Sequence, residues 1–194
     1  YSCMNIFVLD ESPEVAAKYH CNKHVVKMIL ESGQMMCTAH YTHGLRSIGK
    51  ELSDFKRVRD AKAYAIENLD DGILPPWSLS HTRHPCTVWT AINTGNYSWH
   101  LRLMRALLDQ YTERYQKIHK AESTYSWLEN NIPLNMMTGD KTAHPQCMPD
   151  SCKSTSPVDA YRKYYTNFKQ HIAVWEPRAK TPEWYSSGEF KIEI

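Results

Sequence analysis

The chain has 194 residues, 42% hydrophobic and 11% aromatic, with a formal net charge of +2. That is apolar material for one sizeable core and a single domain over residues 1–194, and seven glycines are too few for an all-β fold built on tight turns. The slight basic excess permits nucleic-acid binding without demanding it. No apolar run approaches the ~18 residues of a membrane span. The expectation is a cytoplasmic protein, with no membrane partner, whose six cysteines (Cys3, Cys21, Cys37, Cys86, Cys147 and Cys152) stay reduced.

Residues 1–12 read as an N-terminal arm in which N-I-F-V-L (5–9) is extended or forms a small strand. Ser12, Pro13 and Glu14 then mark a helix start: an N-cap hydroxyl, a proline suited to the first helical position and an acid at the positive end of the helix dipole. The pattern predicts one helix over about 13–39. Turn signals fill 41–53, and a charged helix is expected over 54–68. Gly72, Pro75 and Pro76 break the chain before a long helix over 86–118 that bends near Thr94–Gly95. A short helix around 123–130, a long loop over 132–156, a helix over 157–173 and an irregular tail over 174–194 complete the reading. The predicted class is all-α, a bundle of about five helices.

Three features carry chemistry. In the first helix, His20, His24, Lys27, Glu31 and Gln34 recur at helical spacing and share one face. Such a stripe is either a solvated face or, given its histidines and its few long flexible charges, a pocket wall. His84-Pro85-Cys86 stands where a loop enters a helix, a place for a phosphate contact or an acid–base histidine, or simply a pre-proline loop residue. The segment 98–120 sets Arg102, Arg105, Arg114, Lys117 and Lys120 against Asp109 and Glu113, a local charge of +3 interleaved with aromatics. His20 and His24, or His144 with Cys147 and Cys152, offer metal-ligand types, but no established ligand spacing occurs, so no metal is expected. Phosphate-loop, dinucleotide and nucleophile-elbow glycine motifs do not occur either, and no cofactor is expected.

Three stretches resemble the phage-type pyrimidine-dimer DNA glycosylases, and uncharacterised phage proteins that open N-I-F-x-L-D and continue K-H-V-x-K-M. They are N-I-F-V-L-D through Glu31, H-P-C-T-V-W-T-A-I-N-T-G-N-Y-S-W-H-L running on to R-Y-Q-K, and the tail T-P-E-W-Y. The resemblance touches about half of the chain. It implies an all-helical scaffold, double-stranded DNA carrying a damaged or modified base as partner, an extruded nucleotide, and a carboxylate on the first long helix, matched here by Glu31.

On that basis the expected function is a DNA N-glycosylase that leaves an abasic site. The alternatives are a transferase modifying bases in phage DNA and a non-enzymatic DNA-binding accessory protein. Glu31 is the expected carboxylate with Asp10 in reserve, and His24 or His84 would assist the leaving base. The family's nucleophile is an N-terminal amine, a role that Lys23 or Lys27 takes over only if desolvated. Expected DNA contacts are Lys27, Arg83, Asn96, Tyr97, Arg102, Arg105, Arg114, Lys117, His119, Arg162, Trp184 and Tyr185. A monomer is expected.

Overall fold

A computed structural model describes residues 4–193. It is all-α: eight α-helices and no strand occur among the described residues. They are α1 (Pro13–Tyr19), α2 (Asn22–Ser47), α3 (Val58–Asn68), α4 (Pro85–Thr90), α5 (Thr94–Tyr115), α6 (Glu122–Asn130), α7 (Pro157–Phe168) and α8 (Glu183–Ser186). The count exceeds the expected five because two long predicted helices are each broken and the tail forms a helix of its own. None is long and apolar enough to cross a membrane, among the described residues.

Two compact units are present. The terminal unit falls within Tyr1–Ile29, Arg102–His119 and Ala143–Ile194; the central unit is Leu30–Leu101 with Lys120–Thr142. The N-terminal arm belongs to the terminal unit and is buried from Met4 to Leu9 without forming a strand. Phe7 lies among the rings of His20, His24, Tyr161, Tyr164 and Tyr165. Burying such a ring stabilises by roughly 1.5–3 kcal/mol. Asn5 ties the arm down: its amide donates to the Cys147 carbonyl, and its oxygen accepts from Tyr161.

The predicted helix over 13–39 is interrupted at His20–Cys21, where His20 is extended. Interior groups of the terminal unit hold the break. The Arg114 guanidinium donates to the Lys18 and His20 carbonyls at 2.9 and 2.7 Å. The Cys21 N–H donates to the Tyr165 hydroxyl, and the Asn22 N–H to the Val174 carbonyl. Each supplies a partner that the helix ladder would otherwise provide. The Val174 contact also accounts for α7 ending at Phe168 rather than near 173, since 169–174 turns back to the start of α2.

In the central unit, α2 continues through residues read as turn. Leu45 and Tyr41 are buried with Ala61, Ala65, Leu69 and Leu79 in one cluster, which rewards helical continuation. The long helix over 86–118 is broken at 91–93. The first N–H groups of α5 are satisfied from outside the helix: Thr94 donates to Met137 O, Gly95 to Gly139 O, and Asn96 to the Asn93 side chain. Gly95 permits this docking, because a Cβ there would lie 2.5 Å from Gly139 O and Lys141 N. Starts at Ser12-Pro13 and Ser156-Pro157 fall where the sequence puts them, each serine oxygen accepting a backbone N–H at 3.3 Å. The five described cysteines are thiols outside any disulfide among the described residues; Cys3 lies outside the described residues.

Candidate functional site

The predicted stripe, which runs from His20 in the α1–α2 break along α2, is not a solvated face. His20, His24 and Glu31 are all less than 10% exposed, Gln34 is half-buried and only Lys27 is open. Its members do different work in the two units.

In the terminal unit the histidines are structural. His20 Nδ1 bonds the Ala16 carbonyl at 2.6 Å, and burial pulls its pKa down to about 4. His24 Nδ1 meets the Tyr165 hydroxyl at 2.5 Å under the Phe7 ring, and burial, with the positive groups around it, holds it neutral. His24 is thus committed to the interior and is not placed to serve a leaving base. Asp10, the reserve carboxylate, accepts from the Ser12 N–H and pairs with Arg162. Lys23 and Lys27 are exposed, so neither is desolvated as an amine nucleophile requires.

Several expected DNA contacts are likewise interior groups. Arg114 is 4% exposed and caps backbone carbonyls. Arg162 donates to the Leu9 carbonyl and lies within 6 Å of the Tyr19, Trp184 and Phe190 ring centroids. Trp184 and His119 are buried, and the Tyr185 ring lies tilted against Trp175, centroids 4.9 Å apart. Arg102 and Arg105 pair with Glu14 and Asp109 on the surface, and Lys117 is exposed. A local count of charges along 98–120 could not separate the solvated cations from the buried one.

The central unit holds the rest. Asn96 is fully buried; its amide donates to Trp89 O and Thr142 Oγ1, and its oxygen accepts the Thr142 N–H. Tyr97 donates to Leu128 O and meets His40, whose pKa burial lowers to about 3. His84 caps α4, its Nδ1 accepting the Cys86 N–H at 3.1 Å. Asn96 therefore does not reach out from the surface, and His84, partly exposed, has its Nδ1 committed to the cap.

A chain of Ser32, His100 and Thr90 has the outline of a nucleophilic triad. The Thr90 hydroxyl donates to Cys86 O at 2.8 Å, so it accepts from His100 Nδ1 at 2.9 Å. That leaves His100 Nε2 to accept the Ser32 proton at 2.9 Å. Burial, with no carboxylate behind the ring, drives the His100 pKa to about 3, so it cannot hold the proton a serine nucleophile must surrender. The chain is a buried structural network.

The chemistry that remains lies beside Glu31. Leu30 and Gln34, its neighbours on α2, line a pocket of about 340 Å³ with Trp77, Ser80 and Lys120. The Trp77 ring lies against α2 at Gly33, where a Cβ would collide with it. Thr38 holds Ser80, its hydroxyl accepting the Ser80 N–H at 3.0 Å while donating to the Gln34 carbonyl at 2.8 Å. The Ser80 hydroxyl oxygen is buried without a hydrogen-bond partner among the described residues. An aromatic ring, an amide and an ammonium line one small space, and the α2 residue between Leu30 and Gln34 that is 7% exposed, Glu31, is adjacent to them in the helix. Of these residues, sequence reasoning found Glu31 and Gln34 by helical spacing. Trp77 and Ser80 stand in a proline-rich loop, and only a lone tryptophan between turn residues marked them. No protein-family model, curated protein or solved structure matches the chain.

Proposed function

We propose that the protein is a DNA base-processing enzyme, a DNA N-glycosylase that works on an extruded base in the Trp77 pocket. The observation that carries the reading is the buried Glu31 one turn from Gln34 at that pocket. Burying a carboxylate is costly, and such groups beside clefts are candidates for chemistry. The base stacks on Trp77, and the Gln34 amide supplies a donor and an acceptor for its polar edge. Breaking the C1′–N bond develops positive charge on the sugar, which the Glu31 carboxylate stabilises while water is the nucleophile. Lys120 replaces His24 and His84 as the group that hydrogen-bonds the departing base, because both histidines are engaged elsewhere.

The test uses duplexes carrying normal, damaged and hypermodified bases, scored for abasic sites. Release of a base that falls by about 10²–10³ in Glu31→Gln, with DNA binding unchanged, supports the proposal. A mass increase of the DNA would identify a transferase instead, and a mobility shift with intact bases a binding module. Borohydride trapping of a covalent protein–DNA adduct would replace the carboxylate-plus-water route with a Schiff base.

A further inference from the structure

The central unit has a second and larger concavity that the reaction above does not use. It is a cleft of about 550 Å³ between the C-terminal part of α2, residues 51–58, the start of α3, and α4 with the residues that flank it. Its lining includes the cations Arg46, Lys56, Arg57 and Arg83, against one acid, Glu51. Arg46 pairs with Glu51 at 2.9 Å and Arg57 with Asp60 at 3.1 Å, all four side chains more than 40% exposed. Pairs this open contribute little and exchange readily for another anion. Lys56 and Arg83 form no ion pair among the described residues. Two unmatched cations therefore face the same hollow as two weakly held ones.

The opposite character lies between them. Val58, Val88 and Ile92 line the cleft and are 41%, 51% and 44% exposed. Phe55, half-buried against Tyr64, adds an aromatic ring. Large apolar side chains left in water around one cavity mark a binding surface. The ligand must be anionic along its edge and apolar on its faces.

We infer that this cleft binds a single strand of DNA, with phosphates on Lys56 and Arg83 and unpaired bases against Phe55, Val58, Val88 and Ile92. A duplex hides its base faces and offers this wall only phosphates, whereas a single strand presents both surfaces. Three of the four cations are arginines, whose planar forks match phosphate oxygens in pairs. The inference stands on the cleft alone and does not depend on Glu31 or on base release.

The test is fluorescence anisotropy with a labelled oligodeoxythymidine and a duplex of equal length, over a range of salt. The full chain should bind the single strand more tightly than the duplex. K56E/R83E should weaken single-strand binding at least tenfold and lower the log–log salt slope by about 1.4, the value for two phosphate contacts at about 0.7 each. V88S/I92S should weaken it several-fold with the slope unchanged. Lys180→Glu, a cation of the terminal unit, should change it less than twofold. Circular dichroism melts verify folding of each variant, and the exposed single changes Arg83→Ala and Val88→Ser repeat the measurement if a double variant does not fold. Wild-type affinity in folded K56E/R83E overturns the assignment. So does equal affinity for duplex with no effect of V88S/I92S, which would mean that only phosphates are read. Complete displacement of the oligonucleotide by millimolar inorganic phosphate would make the cleft a small-anion site. Failure of the Glu31→Gln base-release test would leave all of these readings intact.

Discussion

The two units use their charged and polar residues in opposite ways. In the terminal unit, Arg114 and Arg162 are turned inward, one closing the carbonyls of a broken helix and the other held among three aromatic rings. In the central unit, Lys56 and Arg83 face an open cleft, Lys120 faces a pocket, and the Ser80 hydroxyl has no partner among the described residues. Cations already satisfied by backbone build a scaffold; cations left facing space are available to a ligand. Charge density along the basic segment 98–120 does not tell these fates apart, since it holds both the buried Arg114 and the exposed Lys117.

Acid should produce the largest effect and act on both units. His20 titrates at about 4 in the folded protein, and His40 and His100 at about 3, against about 6.5 in the unfolded chain. Below pH 6.5 the unfolded chain binds more protons, so stability is full above that pH and falls as pH drops through the window. The slope is about 1.4 kcal/mol per pH unit for each buried histidine. The loss from His20 levels off near pH 4, while that from His40 and His100 continues towards pH 3. Urea unfolding at pH 7, 5 and 4 should show a steep decline, and residue-resolved hydrogen exchange should show both units weakening, since His24, whose pKa burial also lowers, adds to His20 in the terminal unit. Stability independent of pH between 7 and 4 would contradict the neutral buried histidines.

Arg114→Ala comes next. It strips the Lys18 and His20 carbonyls of their donor and should destabilise by about 3–5 kcal/mol, a drop in melting temperature that calorimetry reads directly. A variant as stable as wild type would mean that the α1–α2 break is held by other groups.

Gly33→Ala sharpens the comparison in the central unit. The new methyl displaces Trp77 from the α2 backbone, with an expected cost of about 1–3 kcal/mol. It should also abolish base release even at temperatures where the variant remains folded. Retained activity would remove Trp77 from the proposed site.

The smallest effect belongs to Arg102→Ala. The Arg102–Glu14 pair is exposed on both sides, so stability should change by less than about 1 kcal/mol and single-strand affinity hardly at all. A tenfold loss of affinity would return DNA binding to the terminal unit.

The sequence by itself determined the helical class, the start of α1 at Ser12-Pro13 and of α7 at Ser156-Pro157, and that Glu31 and Gln34 share one face of α2. These are local properties: a capping oxygen, a preset proline φ and a periodicity of 3.6 act within one or two turns. Tertiary structure alone decided that α2 begins afresh after His20 and that α5 begins afresh after 91–93. In each case a partner distant in sequence satisfies the backbone, Arg114 and Val174 for the first and residues 137–139 for the second. It also decided that Asn96 and Arg114 are interior groups while Lys56 and Arg83 face a cleft. A side chain's burial depends on what the rest of the chain brings to it, and neither residue type nor helical spacing encodes that.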